Sequence, residues 1–270
     1  MGMRDTGVVR AVLTAAVLVG AAGCGAQQAD RAATAALARA GDRTDALGSA
    51  HVRMSVDYGM GGTPVAMEGT YSWGHGYAYD VEMDTRQTNM QKVRHAPRIR
   101  CLLVHGVYYY DIDPQRSGPL KGKQWMKVDS SALYGAKGAK AAAGTGSSPS
   151  ATLMSLRHAD KVDTLGTPTV DGHRTTHYRA VVGRAHWSRR FADVYGNPDT
   201  PMGSVTAGAA DMTADVWIGA DGLPVRLREE IGLLTLTMDL DGFGATATVE
   251  APPAAQTGDV TELVKRRQWS

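Results

Sequence analysis

The strongest constraint on the fold of this 270-residue chain is a repeated alternation of apolar and polar residues, interrupted by glycine-rich breaks. The first runs of this pattern cover 52–58, 65–73 and 77–83, and the breaks between them read GMGGT and GHG. Alternation with a period of two puts the apolar side chains on one face of an extended strand. These runs therefore predict three strands that follow one another as a meander.

Three Asp-Gly pairs mark hairpins in the C-terminal part of the chain: Asp171-Gly172, Asp221-Gly222 and Asp241-Gly242. Each is flanked by extended-looking sequence, and Asp-Gly in that position is a strong hairpin signal. Together with the other alternating runs, the pattern predicts about twelve strands. The predicted strands cover 52–58, 65–73, 77–83, 92–104, 107–112, 124–128, 162–169, 173–182, 212–218, 223–230, 233–240 and 243–250.

Helices are few in this pattern, with short ones predicted at 31–47, 150–159 and 260–265. No strand–helix–strand crossover unit is present in the pattern, so the sheet is predicted to be antiparallel. A sheet of this many strands twists and curls, and we expect the helices on its concave side. The predicted fold class is mainly β (α+β), with a strongly curved antiparallel sheet and a few helices covering the concave face.

Two segments lack strand periodicity. Residues 130–150 are rich in Ala, Gly and Ser, which predicts a mobile loop. Residues 183–210 form a long irregular insertion, and an insertion of this length is usually functional or disordered. Within it, Trp187, Phe191 and Tyr195 follow helical spacing. This aromatic stripe either packs against the host sheet or docks an envelope protein partner.

The N-terminus has the parts of a secretory signal. Residues 1–23 contain two arginines, a short apolar run and small residues that lead directly to Cys24. The apolar run is shorter than the ~20 residues of a comfortable membrane span. A cysteine after small residues resembles a bacterial lipobox, although Ala21 stands where Leu is usual. The alternative is an ordinary secretory peptide that is cleaved elsewhere, with Cys24 incidental.

The lipobox interpretation divides the chain into three parts. Residues 1–23 are then a signal peptide of the lipoprotein type, 24–30 a tether, and 31–265 a single half-barrel domain. Cys24 becomes the first residue, carries the lipid anchor and places the protein on the outer face of the cell membrane. Membrane attachment then needs no basic surface, which fits the near-zero charge.

Composition and motifs exclude several other functions. The formal net charge is only +2, which gives no basic field for nucleic acid. The chain has no G-x-S-x-G nucleophile elbow, and GPLKGKQ at 118–124 lacks the spacing and hydroxyl of a phosphate-binding loop. We therefore expect no enzyme activity, no catalytic residue and no cofactor.

Metal sites are also not expected. His173 and His177 are four apart on a predicted strand, which separates them by roughly 13 Å. The acidic pairs at 111/113 and 239/241 lack the length of a calcium loop, so turn or edge roles are favoured.

Two further features leave a structural and a functional interpretation open. Cys101 alternates with apolar neighbours in RIRCLLV, so we expect a small buried thiol rather than a reactive one. The basic stretch 92–100 contains Pro97, which suggests an edge strand protected by charge. The same stretch is also a candidate for a surface that faces anionic lipid.

Several longer motifs carry a family resemblance. After the lipobox and an Ala-rich helix come MEGTYSWG, QWMKVD, TVDGHRTTHYRAVV, ADVWIGADGLPVRLREE and LTLTMDLDGFG, then APP. This chain resembles the actinobacterial LppX/LprG-type lipoproteins, which are similar in fold to LolA-type carriers. The resemblance implies a curved antiparallel half-barrel with helices in its concavity. It also implies an apolar cavity between sheet and helices, which in some members holds acyl chains.

The resemblance and the apolar strand faces lead to one functional prediction: a membrane-anchored extracytoplasmic lipoprotein that binds or carries a lipid or other amphiphile. The alternative is a surface interaction or sensor module of the cell envelope, with a filled core and no ligand. The sequence alone does not distinguish these two possibilities, because the same apolar residues can line a cavity or fill a core. The candidate cavity residues are Val52, Met54, Val56, Val65, Met67, Tyr71, Tyr79, Val81, Leu153, Leu156, Trp217, Leu234 and Leu236.

Overall fold

A computed structural model describes residues 22–143, 148–206, 208–245 and 248–268 of the chain. Within these ranges, 13 strands form one large sheet, and six α-helices accompany it. The strands are β1 (Ser49–Asp57), β2 (Val65–Ser72), β3 (Ala78–Asp84), β4 (Arg98–Val104), β5 (Val107–Asp111), β6 (Trp125–Asp129), β7 (Lys161–Gly166), β8 (Thr169–Val170), β9 (His173–Gly183), β10 (Asp211–Gly219), β11 (Pro224–Ile231), β12 (Leu234–Asp241) and β13 (Thr257–Asp259). The helices are α1 (Ala22–Leu47), α2 (Ser131–Ala142), α3 (Pro149–Ser155), α4 (Arg189–Tyr195), α5 (Pro201–Thr206) and α6 (Thr261–Gln268).

The sheet consists of two meanders joined in its middle. Its strand order is β13-β6-β5-β4-β3-β2-β1-β12-β11-β10-β9-β7, with β8 paired to β9. The joint is the pairing of β1 with β12, where Val56 lies opposite Leu236. The strand pairs are antiparallel, apart from β13, which runs parallel to β6. The prediction of a curved, mainly antiparallel sheet with a few helices is confirmed.

Two predicted strands are wrong, one in part and the other throughout its described residues. The strand predicted at 92–104 starts only at Arg98, because Pro97 and the turns before it prevent regular pairing. No strand follows β12 in the described residues of 243–250. The reason is topological: β12 already has β11 on one side and β1 on the other, so a hairpin partner has no free edge. The short strand β13 was not predicted.

The segment predicted as a mobile loop at 130–150 is instead largely helical where it is described. It contains α2 and the start of α3, and residues 144–147 lie outside the described residues. The alanines of α2 have the highest helix propensity, and Gly135, at φ 67°, interrupts the helix near its start. The Ser148 side chain caps α3 by accepting a hydrogen bond from the Ala151 backbone N–H.

The insertion at 183–210 is also ordered into short elements. A 3₁₀ turn at Arg184–His186 is followed by α4 and α5. The Ser188 side chain caps α4 by accepting from the Phe191 backbone N–H at 3.2 Å. The prediction of an irregular insertion is therefore wrong for most of its length.

The N-terminal helix is longer than predicted. α1 begins at Ala22 rather than at 31, so the segment expected as a tether, 24–30, is helical. Most of the predicted signal peptide, residues 1–21, lies outside the described residues, and so does the side chain of Cys24.

The sheet has an inner face that packs against helices and an outer face that bears charges. On the inner face the structure divides into two halves. We call β7, β9, β10 and β11 with α1 and α3 the filled half. We call β12 and β1–β5 with α2, α4 and α5 the hollow half. In the filled half, α1 packs against α3 and β7, and the fully buried side chains include Leu153, Leu156, Met212, Leu227 and Ile231.

Candidate functional site

A cavity of about 660 Å³ lies in the hollow half, between the inner face of the sheet and the helices. Strands β12 and β1–β5 form its floor and walls. Helices α2, α4 and α5 contribute Leu133, Tyr134, Tyr195, Met202 and Val205 to its roof. Seven of the chain's methionines and seven of its tyrosines line this one space.

Methionines cross the floor of the cavity from strand to strand. Met54 on β1 lies opposite Met238 on β12 and opposite Met67 on β2. Met67 in turn lies opposite Met83 on β3. These four residues, which we call the methionine row, occupy one register position across four neighbouring strands. Thioether side chains are flexible and polarisable, so such a floor adapts to apolar groups of irregular shape.

Tyrosines form one wall of the cavity. The ring centroids of Tyr77 and Tyr79 are 6.2 Å apart, those of Tyr79 and Tyr108 6.3 Å, and those of Tyr108 and Tyr110 6.3 Å. We call these four residues the tyrosine wall. Burial raises the pKa of each of the four hydroxyls well above its usual value, so they stay neutral.

One end of the cavity is closed and carries a few uncharged polar groups. It is bounded by the buried residues Gly106 and Ser130, which are joined by the hydrogen bond from the Ser130 backbone N–H to the Gly106 carbonyl. The Ser130 hydroxyl is buried and has no hydrogen-bond partner within the described residues. Tyr108 and Tyr134 pair through their hydroxyls at 3.2 Å. An uncharged oxygen-bearing group can accept hydrogen bonds here.

The other end of the cavity is open. Its lining includes Tyr58 and Met60, from the turn between β1 and β2, and Val205 of α5. Met60 is 72% exposed and Tyr58 37%, so the entrance is bordered by apolar and aromatic side chains in contact with solvent.

The cavity lining contains no Asp, Glu, Lys, Arg or His among the described residues. Cys101 lines it as well, and burial raises the pKa of its thiol to about 12. At neutral pH the thiol is therefore un-ionised and weakly reactive, as predicted for a small buried residue.

One carboxyl group lies at the border between the two halves. Glu229 on β11 faces inward, opposite Leu236 of the cavity floor on one side and Ala214 on the other. Its side chain is buried near Thr152, and its Oε1 atom has no hydrogen-bond partner in the described chain. Burial raises the pKa of Glu229 to about 7.

The sequence-predicted cavity residues fall into three groups in the structure. The residues that line the cavity are Met54, Val56, Val65, Met67, Tyr79, Leu234 and Leu236. The residues that face inward and pack in the core without lining the cavity are Val52, Tyr71, Val81, Leu153 and Leu156. The remaining residue, Trp217, faces the opposite side of the sheet, where its ring stacks on His177 at 4.2 Å.

The placement of Trp217 corrects the prediction for that residue. Met212, Ala214, Val216 and Ile218 alternate with it along β10 and are buried in the core, so Trp217 has the outward parity. The side of the sheet that a residue faces follows from its parity along the strand, and not from its being aromatic.

Several cavity residues were not predicted. Tyr108 and Tyr110 alternate along β5, and this alternation is the sequence signal that identifies them as facing one side. Tyr134 lies in the segment taken for a loop, and Met202 in the insertion, so neither had a detectable period.

The aromatic stripe of the insertion packs inward. Trp187, Phe191 and Tyr195 contact the main core, with ring centroids 4.9 Å apart for the first pair and 4.6 Å for the second. The Trp187 indole N–H donates to the Val182 carbonyl at 3.1 Å. The stripe therefore packs against the core of the domain, as in the first of the two interpretations, and Tyr195 lines the cavity.

The basic stretch at 92–100 is paired with acidic side chains. Arg94 lies 3.4 Å from both Asp111 and Asp113. Arg98 contacts Glu82 at 2.7 Å, and Arg100 contacts Asp80 at 2.6 Å. These pairs neutralise the arginines, so the structure gives no support to an unpaired lipid-facing surface there.

The other flagged polar residues also have local partners. Asp239 pairs with Arg226, and Asp241 with Arg53 at 3.1 Å. His177 contacts Asp215 at 2.7 Å on the outer face. Within the described ranges, no three His, Cys, Asp or Glu side chains come close enough together to hold a metal ion. No helix in the described part of the chain is long and apolar enough to span a membrane.

Comparison with known proteins identifies relatives in sequence and in fold. No protein-family model matches the chain. It is 28% identical over 165 residues to SCO4650 of Streptomyces coelicolor, a predicted lipoprotein. That match covers 58% of this chain and 50% of the relative, so the chain spans about half the length of the curated relative it matches.

Two solved structures share the fold. LppX of Mycobacterium tuberculosis is similar with a TM-score of 0.52 and 15% identity, over 82% of this chain and 100% of that chain. LprF of Mycobacterium bovis is similar with a TM-score of 0.51 and 16% identity, over 82% of this chain and 97% of that chain. The resemblance found in the sequence is thus confirmed at the level of architecture: the chain has the fold of the LppX/LprG-type lipoproteins.

Proposed function

We propose that this protein is a membrane-anchored extracytoplasmic lipoprotein that binds a lipid or another amphiphile and carries or presents it. The observation that carries the proposal is the cavity of about 660 Å³, lined by methionines, tyrosines and aliphatic side chains. This volume lies within the roughly 300–1,000 Å³ of small-molecule sites. Each methylene group that leaves water for such a cavity contributes about 0.8 kcal/mol.

The chemistry of the lining narrows the ligand class. Because no charged side chain lines the cavity in the described chain, a buried carboxylate or phosphate finds no counter-ion there. Acyl chains fit the methionine row, and an ester or hydroxyl oxygen fits the closed end beside Ser130. The buried part of the ligand is therefore uncharged, and a charged headgroup, if present, stays at the entrance.

The anchor is the second part of the proposal. Cys24 follows a signal-like segment, and LppX, which shares the fold, is described as a lipoprotein, as is the Streptomyces relative. We assign to Cys24 the acylated N-terminus that holds the protein on the outer face of the membrane. Two or more acyl chains on this residue hold a protein stably at a membrane, because each buried methylene group contributes about 0.8 kcal/mol.

Native mass spectrometry tests the ligand. The protein is produced without residues 1–23, with Cys24→Ser, and is purified from a bacterial host or mixed with a neutral ester lipid. We expect bound species that are heavier than the protein by the mass of one lipid. Only the bare protein mass, both as purified and after addition of lipid, overturns the proposal.

Membrane fractionation of the full chain tests the anchor. Cys24→Ala is expected to release the protein from the membrane fraction, because no acyl chain is attached. Cys101→Ala is the matched control, since that thiol is buried in the domain and its loss leaves anchoring unchanged. Retention of the Cys24→Ala variant in the membrane fraction overturns the anchor assignment.

A further inference from the structure

The two most exposed large hydrophobic side chains of the described chain lie together at the cavity entrance. Met60 is 72% exposed and Leu233 is 57% exposed, and Tyr58 beside them is 37% exposed. Exposed apolar side chains are ordinary when scattered, but a cluster at the opening of an apolar cavity indicates a contact surface. We call Tyr58, Met60 and Leu233 the entrance rim.

The rim is built by two turns that touch each other. Met60 belongs to the glycine-rich turn after β1, and Leu233 to the turn between β11 and β12. Gly59 lies so close to Leu233 that a Cβ on it would stand 2.5 Å from the Leu233 carbonyl oxygen. The Leu233 backbone N–H donates to the Val205 carbonyl at 3.0 Å, which ties the rim to the cavity roof. The exposed side chains are therefore held in place rather than carried on a free loop.

The direction of α1 places the proposed anchor on the same side as the rim. α1 leads through Gly48 into the start of β1 at Ser49, which is the opposite end of that strand from Asp57 and the rim. α3 runs antiparallel to α1, because Ser150 hydrogen bonds to Asp45 at 3.0 Å while Gly41 lies against Leu153. The N-terminal end of α1 therefore lies on the side towards which α3 runs from its first to its last residue.

α3 runs towards the rim. It leads into β7. The first residue of β7 lies opposite a residue of β9, which lies opposite one of β10, and this row of opposed residues continues across the sheet to β1. That row is Lys161, Val181, Thr213, Glu230, Thr235 and Asp57. Since the row ends at Asp57, directly before the rim, the start of α1 lies at the rim end of the sheet.

The lengths of the two elements agree with this arrangement. The 26 residues of α1 span about 39 Å, whereas the nine residues of β1 span about 30 Å. The helix therefore outreaches the strand on the rim side, and Cys24 lies in the part that projects.

We infer that the entrance rim inserts its apolar side chains into the membrane leaflet that holds the anchor, so that the cavity opens directly onto the lipid surface. This inference rests on the proposed function, since it requires the acylated Cys24 and a lipid ligand. An acyl chain then passes between bilayer and cavity without crossing water. The rim is thus covered by the bilayer itself. If a protein partner covered the rim instead, a fluorescent label on the rim would stay outside the lipid.

Depth-dependent fluorescence quenching tests the orientation. The lipidated full chain with Met60→Cys carries an environment-sensitive dye and is anchored in phosphatidylcholine vesicles that contain nitroxide-labelled lipids. Leu47→Cys is the matched control, because Leu47 is 38% exposed and lies at the opposite end beside Gly244 and the start of β1. Cys101 is buried and stays unlabelled. We expect quenching at position 60 at least about twofold greater than at position 47.

If the protein stays on the vesicles but quenching is equal at both positions, or stronger at position 47, the inference is overturned. Failure of the proposed function looks different: the protein then leaves the vesicles, or it carries no ligand in native mass spectrometry.

A transfer assay gives a second readout. Leu233→Asp lies outside the cavity lining and places a charge on the rim, so transfer of a fluorescent ester lipid to the vesicles is expected to slow roughly tenfold. Leu165→Asp, at a leucine that is 48% exposed on β7, is expected to leave the transfer rate unchanged. Equal rates for the two variants overturn the inference.

Discussion

The two halves of the inner face are built from the same strand pattern, yet one is solid and the other encloses a cavity. In the filled half, α1 and α3 lie on the sheet, and Leu153, Leu156 and Leu227 are fully buried. In the hollow half, α2, α4 and α5 stand over the methionine row and the tyrosine wall and leave about 660 Å³ between helices and sheet. Alternation of apolar residues therefore specifies an inner face of the sheet, whereas the helices that cover this face determine whether the space above it is filled.

The largest expected effect compares two leucines. Leu153→Ala removes a fully buried side chain from the filled half and is expected to lower the free energy of unfolding by about 3–5 kcal/mol. Leu236→Ala enlarges a space that already exists and is expected to lower it by only about 1 kcal/mol. Urea unfolding of both variants measures the difference. Equal losses would mean that Leu236 is packed as tightly as Leu153.

Enlarging a valine tests the same contrast in the opposite direction. Val216→Trp overfills the solid half, where Val216 is fully buried, and is expected to cost at least about 2 kcal/mol of stability. Val56→Trp projects into the cavity and is expected to cost less than about 1 kcal/mol while it weakens lipid binding at least tenfold. Thermal unfolding and lipid titration check both halves of this prediction. Unchanged binding by Val56→Trp would contradict the cavity as the binding site.

The buried carboxyl group at the border predicts a pH dependence of stability. Because burial raises the pKa of Glu229 to about 7, the native state keeps its proton where the unfolded chain has lost it. Stability that Glu229 provides is therefore present below the unfolded pKa of about 4.5 and is lost as pH rises to about 7. The loss is of the order of 3 kcal/mol by linkage.

Substitution isolates this effect. Glu229→Gln is expected to flatten the fall in unfolding free energy between pH 4.5 and pH 8, as measured by urea unfolding at several pH values. Glu230→Gln, at the neighbouring residue that faces out and pairs with Arg228, is the control. A fall that persists in the Glu229→Gln variant would show that other groups cause it.

The smallest effect concerns the closed end of the cavity. Tyr134→Phe leaves the Tyr108 hydroxyl without its partner at 3.2 Å, which is expected to cost about 1 kcal/mol in the ligand-free protein. An ester ligand restores a partner, so the cost in the loaded protein is expected to be smaller. Unfolding measured with and without lipid checks this. The same cost in both states would argue against a ligand oxygen near Tyr108.

Elements whose own residues carry a clear pattern were predictable from the sequence. The strands of the first meander and the Asp-Gly turns at 171–172 and 221–222 follow from alternation and turn chemistry. The turn at Asp241-Gly242 has the expected backbone, with Gly242 at φ 56°, but no strand follows in the described residues. Only the topology explains this, because β1 comes from a distant part of the chain and occupies the edge of β12.

The site was predictable only in part for the same reason. Parity along one strand identifies Met54 or Tyr79 as inward-facing, but the register that aligns the methionine row depends on neighbouring strands. Roof residues such as Tyr134 come from segments without a period, and their position follows from helix packing. Leu153 and Val52 face inward as expected, yet helix placement puts them outside the cavity.

The most direct test of the central claim is a crystal structure with a bromine-labelled neutral ester lipid. We expect anomalous bromine density inside the cavity, between the methionine row and the tyrosine wall, with the ester oxygen near Ser130. We expect this density to be absent in the Val56→Trp variant. Bromine density only on the outer face, or none in a fully folded protein soaked with the lipid, would contradict the claim that the hollow half is a lipid-binding site.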